Sequence, residues 1–306
     1  MRMRPRIVRS GAVPITPATR PATRRKRGLL TKVAVLTAGT AMSFGVAAPA
    51  QAEHDVAAMA LPSANMEAVL KAAQIDPRRA GTELTPGSKA SVVLVEEALT
   101  ARGLLDGKYV DGHFGTATIS AYAAYQRSLG YSGIDASGLP GPTSLQKLGS
   151  QRYTVTNVVS AGSRVTYHGR TMNTRTKAML VEAERLLGRQ LSVTQGSYNP
   201  GGVGGSAGTH DGGGALDLSV QGMTSGTRTD VVRKLRNVGF AAWLRTPAQG
   251  NWAYHIHAIA VNDPDQSSAA QHQAGDYYLG YNGLANRARD DGPQVTKVTW
   301  EEYKRG

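Results

Sequence analysis

His210-Asp211-Gly212-Gly213-Gly214-Ala215-Leu216-Asp217 and, further on, His255-Ile256-His257-Ala258-Ile259-Ala260-Val261 are the stretches on which the reading of this chain turns. In the second, the apolar residues after the histidines are β-branched or small, which suits a strand. A period of two then puts His255 and His257 on one face and Ile256 and Ala258 on the other. In the first, three consecutive glycines permit the tight backbone that brings His210 and Asp217 to one point. Leu216-Asp217-Leu218-Ser219-Val220 continues from there as a strand. Taken singly, each element has an ordinary explanation: a surface or core histidine pair, and a flexible glycine loop. Taken together, three imidazoles and one carboxylate are the nitrogen and oxygen donors that zinc accepts when no thiolate is at hand. The chain has no cysteine. Three protein ligands would leave a fourth position for water, the pattern of a catalytic rather than a structural site.

Around these stretches the pattern mixes helices and strands. A helix follows Thr174 to about Leu187, with Met179, Ala183 and Leu186 as its buried stripe and Gly188 as its stop. Val193 belongs to a strand, and a glycine-rich loop from Gly201 to Gly208 leads into His210. Asp230 is expected to cap a helix that buries Val231, Leu235 and Val238 and ends at Gly239. Phe240-Ala241-Ala242-Trp243-Leu244 reads as the next strand. This mixture indicates an α+β domain with a small, mainly antiparallel sheet over residues 170–306. Trp252 and Tyr254 are placed to wall a cleft or to sit in a core. Asp211 is the other ionisable group beside a candidate ligand, but adjacent residues on extended chain point oppositely.

The net charge of +13 is concentrated at the N-terminus. Residues 1–52 carry ten Lys or Arg and no Asp or Glu, and without them the charge falls to +3. Arg24-Arg25-Lys26-Arg27 forms a basic segment, Val33 to Ala48 an uncharged, mostly apolar one, and Ala50-Gln51-Ala52 a small-x-small cleavage site. That order predicts a secretion signal. The apolar stretch is shorter than the ~20 residues of a spanning helix, so no stable membrane anchor is expected after cleavage. With the basic segment removed, nucleic-acid binding loses its support. The chain shows no phosphate loop.

Residues 53–83 read as a spacer, with Pro62, Pro77 and no sustained pattern. From Leu84 the composition changes. Ser88 is placed to cap a helix in which Val92, Leu94, Val95, Ala98 and Leu99 recur at helical intervals, ending near Gly103. Asp111-Gly112-His113-Phe114-Gly115 precedes a second helix from about Thr116, with Ile119, Tyr122, Ala123 and Gln126 along one side. Gly141-Pro142-Thr143 opens a third, short helix bearing Leu145 and Leu148. Turn chemistry alone accounts for each glycine and threonine. His113 and Tyr125 are candidates for ligand contact or for packing. His54, His168 and His272 have no assignable metal partner. Residues 150–169, including Tyr153 to Val159, read as a linker or an ordered connection.

Two resemblances emerge. His210, Gly213, Ala215 and Asp217 match the His-x-x-Gly-x-Ala-x-Asp motif of the D-alanyl-D-alanine metallopeptidases, whose wider group shares a downstream His-x-His. Ser197-Tyr198 resembles that family's Ser-x-Tyr-Arg stretch. The likeness covers roughly residues 170–262. It implies His210, Asp217 and His257 as ligands of Zn²⁺, with His255 as the unligated histidine that steadies or deprotonates the attacking water. Two positions depart from the pattern. Tyr254 stands where many members carry a glutamate base, and Asn199 stands where an arginine often grips a free carboxylate.

Residues 84–149 resemble the three-helix peptidoglycan-binding domain of wall hydrolases, through Asp111-Gly112, Phe114-Gly115, Thr118, Tyr125-Gln126 and Gly141-Pro142-Thr143. Together these imply a multidomain, exported cell-wall protein in which a small all-α binding domain precedes the α+β one. The implied partner is peptidoglycan. The implied activity is zinc-dependent hydrolysis of peptide stems or cross-links, and the missing glutamate keeps open a catalytically silent wall-binding protein.

Overall fold

Met66, Val69, Leu70 and Ala73 fall at helical intervals. In the computed structural model, which describes residues 60–306, they line the buried face of a helix, α1 (Met66–Ile75). The expected spacer is therefore corrected. A short strand, β1 (Ser63–Asn65), leads into α1, whose N-terminus is capped by the Asn65 side chain accepting from the Ala68 amide. The stripe of four apolar positions supports a helix even beside Pro62 and Pro77, because both prolines lie outside its hydrogen-bonded interior. The expected signal segment, 1–52, and residues 53–59 lie outside the described residues.

Three further helices build the first core with α1: α2 (Lys89–Thr100), α3 (Thr116–Ser128) and α4 (Pro142–Leu148). Val92, Val95, Leu99, Phe114, Tyr122, Tyr125, Leu145 and Leu148 are buried together with Met66, Val69 and Leu70. Ser88 holds the N-cap position of α2, but its hydroxyl donates back to the Thr85 carbonyl at 2.7 Å instead of capping. The motif residues of this region serve the fold. Glu96 accepts from the amides of Asp111 and Gly112 and from the Thr118 hydroxyl. Asp76 accepts from the Phe114 amide at 3.0 Å. Gln126 bridges the Gly138 amide and the Leu139 carbonyl, each at 2.8 Å. Tyr125 is a packing residue, 1% exposed.

The connection is also more structured than a linker. A strand, β2 (Thr154–Thr156), pairs in parallel with β1. Tyr153 and Val159 enter the first core. A hairpin of β3 (Arg164–Tyr167) and β4 (Arg170–Asn173) then begins the α+β part earlier than expected. There α5 (Thr174–Leu187) is capped by Asn173 and stopped by Gly188 at φ +65°. The main sheet holds four strands: β5 (Val193–Gln195), β6 (Ala215–Ser219), β7 (Phe240–Arg245) and β8 (His255–Ala260), in the order β5-β6-β8-β7 with every pairing antiparallel. Between β6 and β7 runs α6 (Ser225–Asn237). Its cap is Thr224, not Asp230. The helix extends ahead of its first apolar residue, and Asp230 sits inside it, 3.1 Å from Arg233.

Alternation assigns the two faces of the sheet. Leu216, Leu218, Phe240, Ala242, Ile256 and Ala258 pack with Met179, Leu180, Ala183, Val231 and Leu235 of α5 and α6. Ala215, Ala241, Trp243 and Ile259 face a helix that the sequence reading had passed over, α7 (Ser268–Tyr278), through Ala270, Ala274 and Tyr277. A terminal turn, α8 (Trp300–Arg305), closes the chain with a Thr299–Glu302 capping box. The architecture is α+β with mainly antiparallel sheets, and all the described residues belong to one compact unit. No helix among them is long and apolar enough to cross a membrane.

The α1 helix belongs to both halves. Its inner stripe serves the first core, while Glu67 pairs with Arg305 through two contacts of 2.8 Å. Lys71 meets Glu302, and Gln74 donates to Gln266 at 2.8 Å. Just beyond α1, Arg78 grips Asp276 of α7 at 2.9 and 3.1 Å.

Candidate metal centre

Asp217 on β6 and His257 on β8 are register partners in the middle of the sheet. Directly opposed residues on neighbouring strands bring their Cβ atoms to about 5 Å, so the pairing alone turns the carboxylate toward the imidazole. Asp217 Oδ1 lies 2.8 Å from His257 Nδ1. His210 arrives from the preceding loop, which runs alongside the 196–199 segment: the Tyr198 amide donates to the Gly212 carbonyl and the Asn199 amide to that of His210. His210 Nε2 then sits 3.4 Å from the same carboxylate oxygen. The three side chains form a group whose donor atoms all lie within 4.8 Å of one another.

The glycine run has a sharper role than flexibility. Gly214 is in the left-handed region at φ +83°, where a side chain is strained. Gly212 and Gly213 are instead needed for close approach: a Cβ on either would strike the Asp265–Ser267 backbone or, 2.8 Å away, the Tyr198 hydroxyl. Gly213 donates its amide to the Asp265 carbonyl at 2.6 Å. Ser197 and Tyr198 fasten the same loop, the serine by donating to the Ala215 carbonyl and the tyrosine by donating to Asp265.

A hydrogen bond at the back of the His210 ring sets which of its nitrogens carries the proton. A carbonyl only accepts, so the 2.9 Å contact of His210 Nδ1 with the Gly196 carbonyl fixes the proton there and leaves Nε2 as a lone pair. That Nε2 is fully buried with no hydrogen-bond partner. His257 meets an acceptor at each ring nitrogen, the Asp217 carboxylate 2.8 Å from Nδ1 and the Gln273 amide oxygen 2.9 Å from Nε2. Although burial opposes ionisation, the imidazoles of His210 and His257 hold the Asp217 carboxyl well below the usual carboxylate range. Burial pushes the His257 imidazole down to about 4, against the pull of Asp217. Such a cluster of nitrogen and oxygen atoms, with the buried His210 Nε2 left without a partner, is suited to a cation. The group can hold a metal ion.

His255 shares the face of His257, as the period of two requires, but is more open, with its side chain 20% exposed. Its Nδ1 donates to the Ala253 carbonyl at 2.7 Å. Its Nε2 lies 3.8 Å from Asp217 Oδ1, outside the tight group. Trp252 stands edge-on to the His255 ring. A cleft of about 680 Å³ opens over Asp217 and His255, walled by the β4 end of the hairpin, Tyr198, Asn199, Trp252 and Tyr254. Trp252 and Tyr254 thus wall the cleft. Tyr254 is exposed and carries the Arg228 guanidinium on its ring. Asp211 serves the loop, accepting from the Gly201 amide at 3.4 Å. His168 is paired with Glu184 at 2.9 Å on the α5 side.

Two residues near the site went unread in sequence. Gln273 belongs to a helix with little apolar periodicity, and a glutamine in such a setting carries no motif. Arg245, register partner of His255 on β7, is buried against Trp243, and burial lowers its pKa to about 10. It follows a strand of apolar residues and reads in sequence as an ordinary strand end. Comparison with family models, with curated proteins and with solved structures finds no match for this chain.

Proposed function

We propose that this protein is an exported zinc-dependent peptidase acting on the peptide stems or cross-links of peptidoglycan, with the helical region of residues 84–149 as its wall-binding part. The observation that carries this reading is the group of donors His210 Nε2, Asp217 Oδ1 and His257 Nδ1, buried beneath an open cleft that Asp217 lines. A tetrahedral zinc with bonds of about 2.1 Å sets its donors roughly 3.4 Å apart, and His210 and Asp217 already stand at 3.4 Å. All donors are nitrogen or oxygen, in keeping with a chain that has no cysteine. Bound zinc would supply an acidified water and polarise a peptide carbonyl.

The chain's own residues would do the rest. His255, with its proton held on Nδ1 by Ala253, presents the Nε2 lone pair toward the metal group and would accept the water's proton. Once protonated, it would stabilise the developing oxyanion. Trp252 and Tyr254 would shield and line the peptide. Support for the wall-binding role lies in the ordered motifs of residues 111–143 and in the separate core they build with α1. A secretion signal over residues 1–52 would place the protein outside the membrane.

A second reading, a catalytically silent wall-binding protein that retains its metal, is favoured by one observation. Asp217 is the sole carboxylate among the residues that line the cleft, so no glutamate replaces the one absent at Tyr254. Mass spectrometry of purified muropeptides incubated with the zinc-loaded protein separates the two. New stem fragments establish the peptidase and identify the bond, and an unchanged digest favours the silent protein.

A further inference from the structure

His257 is held from two sides. Asp217 faces its Nδ1 at 2.8 Å, and the Gln273 amide oxygen of α7 stands 2.9 Å from its Nε2. The near-parallel Trp243 ring, 6.4 Å away, fills the space beside it. Gln273 is the only one of these groups that is not on the sheet. Its helix is a layer between the site and the first half of the molecule. Ala270, Ala274 and Tyr277 turn toward the sheet, and the opposite side is taken by the α1 region. Gly275 abuts the backbone of Gln74 so closely that a Cβ would collide with its carbonyl. Asp276, almost fully buried, takes Arg78 and, at 3.1 Å, Arg287, whose guanidinium also donates to the Arg78 carbonyl. Gln271 reaches Ser137 beyond the third helix.

We infer that Gln273 is a positioning residue for the metal ligand His257, and that the N-terminal helical half sets its placement by clamping α7 through α1. The inference rests on the metal reading and deepens it: the helical half is a support of the centre as well as a wall-binding part. A hydrogen bond to the distal nitrogen of a ligating imidazole fixes its tautomer and direction and raises its basicity, and its loss typically costs about 10- to 100-fold in metal affinity. A helix seated one methyl group further from α1 would move Gln273 along with it, since packed interiors transmit such displacements.

The test measures zinc affinity of the full chain by chelator competition, with thermal unfolding of the metal-free protein to confirm that each variant is folded. Gln273→Leu keeps the size but loses the acceptor, and is expected to bind zinc about 10- to 100-fold more weakly. Gln273→Glu restores an acceptor and is expected to bind at least as tightly as wild type. Gly275→Ala adds one methyl group against Gln74, away from the site, and is expected to weaken zinc binding several-fold. Arg78→Met, which removes the α1-side partner of Asp276 without adding bulk and leaves Arg287 in place, should act in the same direction and serves if Gly275→Ala does not fold. Wild-type affinity in Gln273→Leu overturns the positioning role, and wild-type affinity in Gly275→Ala or Arg78→Met overturns the link to α1. A wild type that takes up no zinc overturns the metal reading itself, and the positioning role with it.

Discussion

Asp217 Oδ1 and His257 Nδ1 face each other at 2.8 Å across the central strand pair, and His210 Nε2 approaches the same oxygen at 3.4 Å. Charge, not shape, would make this carboxylate a ligand of the proposed metal. Asp217→Asn preserves the outline of the side chain but removes the anion and one strong acceptor, so it should lose the metal along with His257→Ala. Elemental analysis after dialysis should give one zinc per wild-type chain and a small fraction of that in either variant. Undiminished zinc in either variant would show that the ion sits elsewhere.

Glu96 gives a pH prediction that does not involve the metal. Burial pushes its carboxyl up to about 7, against hydrogen bonds from Gly112 and Thr118 that pull it down. The folded protein then keeps a proton that the unfolded chain, with an ordinary glutamate near 4.5, has already released. This contribution to stability is fully present below about pH 4.5 and is lost as the pH rises through about 7. Glu96→Gln cannot ionise, so the Tm of the variant relative to wild type should rise between about pH 5 and about pH 8. Parallel curves for the two proteins would contradict the raised value.

The α1 helix gives a stability prediction. Leu70 is fully buried in the first core with Val69, Leu99 and Leu145. Leu70→Ala should destabilise the protein by about 2–5 kcal/mol, the usual cost of truncating a packed leucine. Urea unfolding monitored by circular dichroism is the measurement. A loss under about 0.5 kcal/mol, the value of an exposed site, would mean that this segment is the spacer its prolines suggest.

How legible the molecule was in its sequence depended on whether period and chemistry coincided. On β8 a period of two carries both the apolar face and the candidate ligand, and the structure puts Ile256 and Ala258 on one face and His255 and His257 on the other. The glycine run before Asp217 was recognised as a close turn, though its contact with Asp265–Ser267 is tertiary and has no local trace. Helix α6 was entered late because its first turn, Ser225 to Thr229, has no apolar residue, and Asp230 resembled a cap. Helix α1 had a readable stripe at Met66, Val69, Leu70 and Ala73, masked by the neighbouring prolines. Helix α7 buries alanines and a glycine against two partners at once, so no single stripe marks it. Gln273 was therefore beyond reach: its partner lies on a strand that only the folded chain brings near.

His255 decides between the peptidase and the silent wall-binding protein. Its Nε2 stands 3.8 Å from Asp217 Oδ1 while its proton is committed to Ala253, and its ring is open to the cleft beside Trp252. The three ligand atoms are all on other residues. His255→Ala should therefore retain zinc at the wild-type level. It should lose about a hundredfold or more of the cleavage rate, the usual worth of a positioned acid–base group or oxyanion donor. Tyr254, which stands where the peptidases that this sequence resembles carry a glutamate, is exposed and occupied by Arg228, so Tyr254→Phe should cleave at close to the wild-type rate. Rates on purified stem peptides, measured with zinc content for each protein, test all of this together. If His255→Ala cleaves as fast as wild type, another group activates the water; if wild type cleaves no stem at all while holding its zinc, the protein binds the wall and does not cut it.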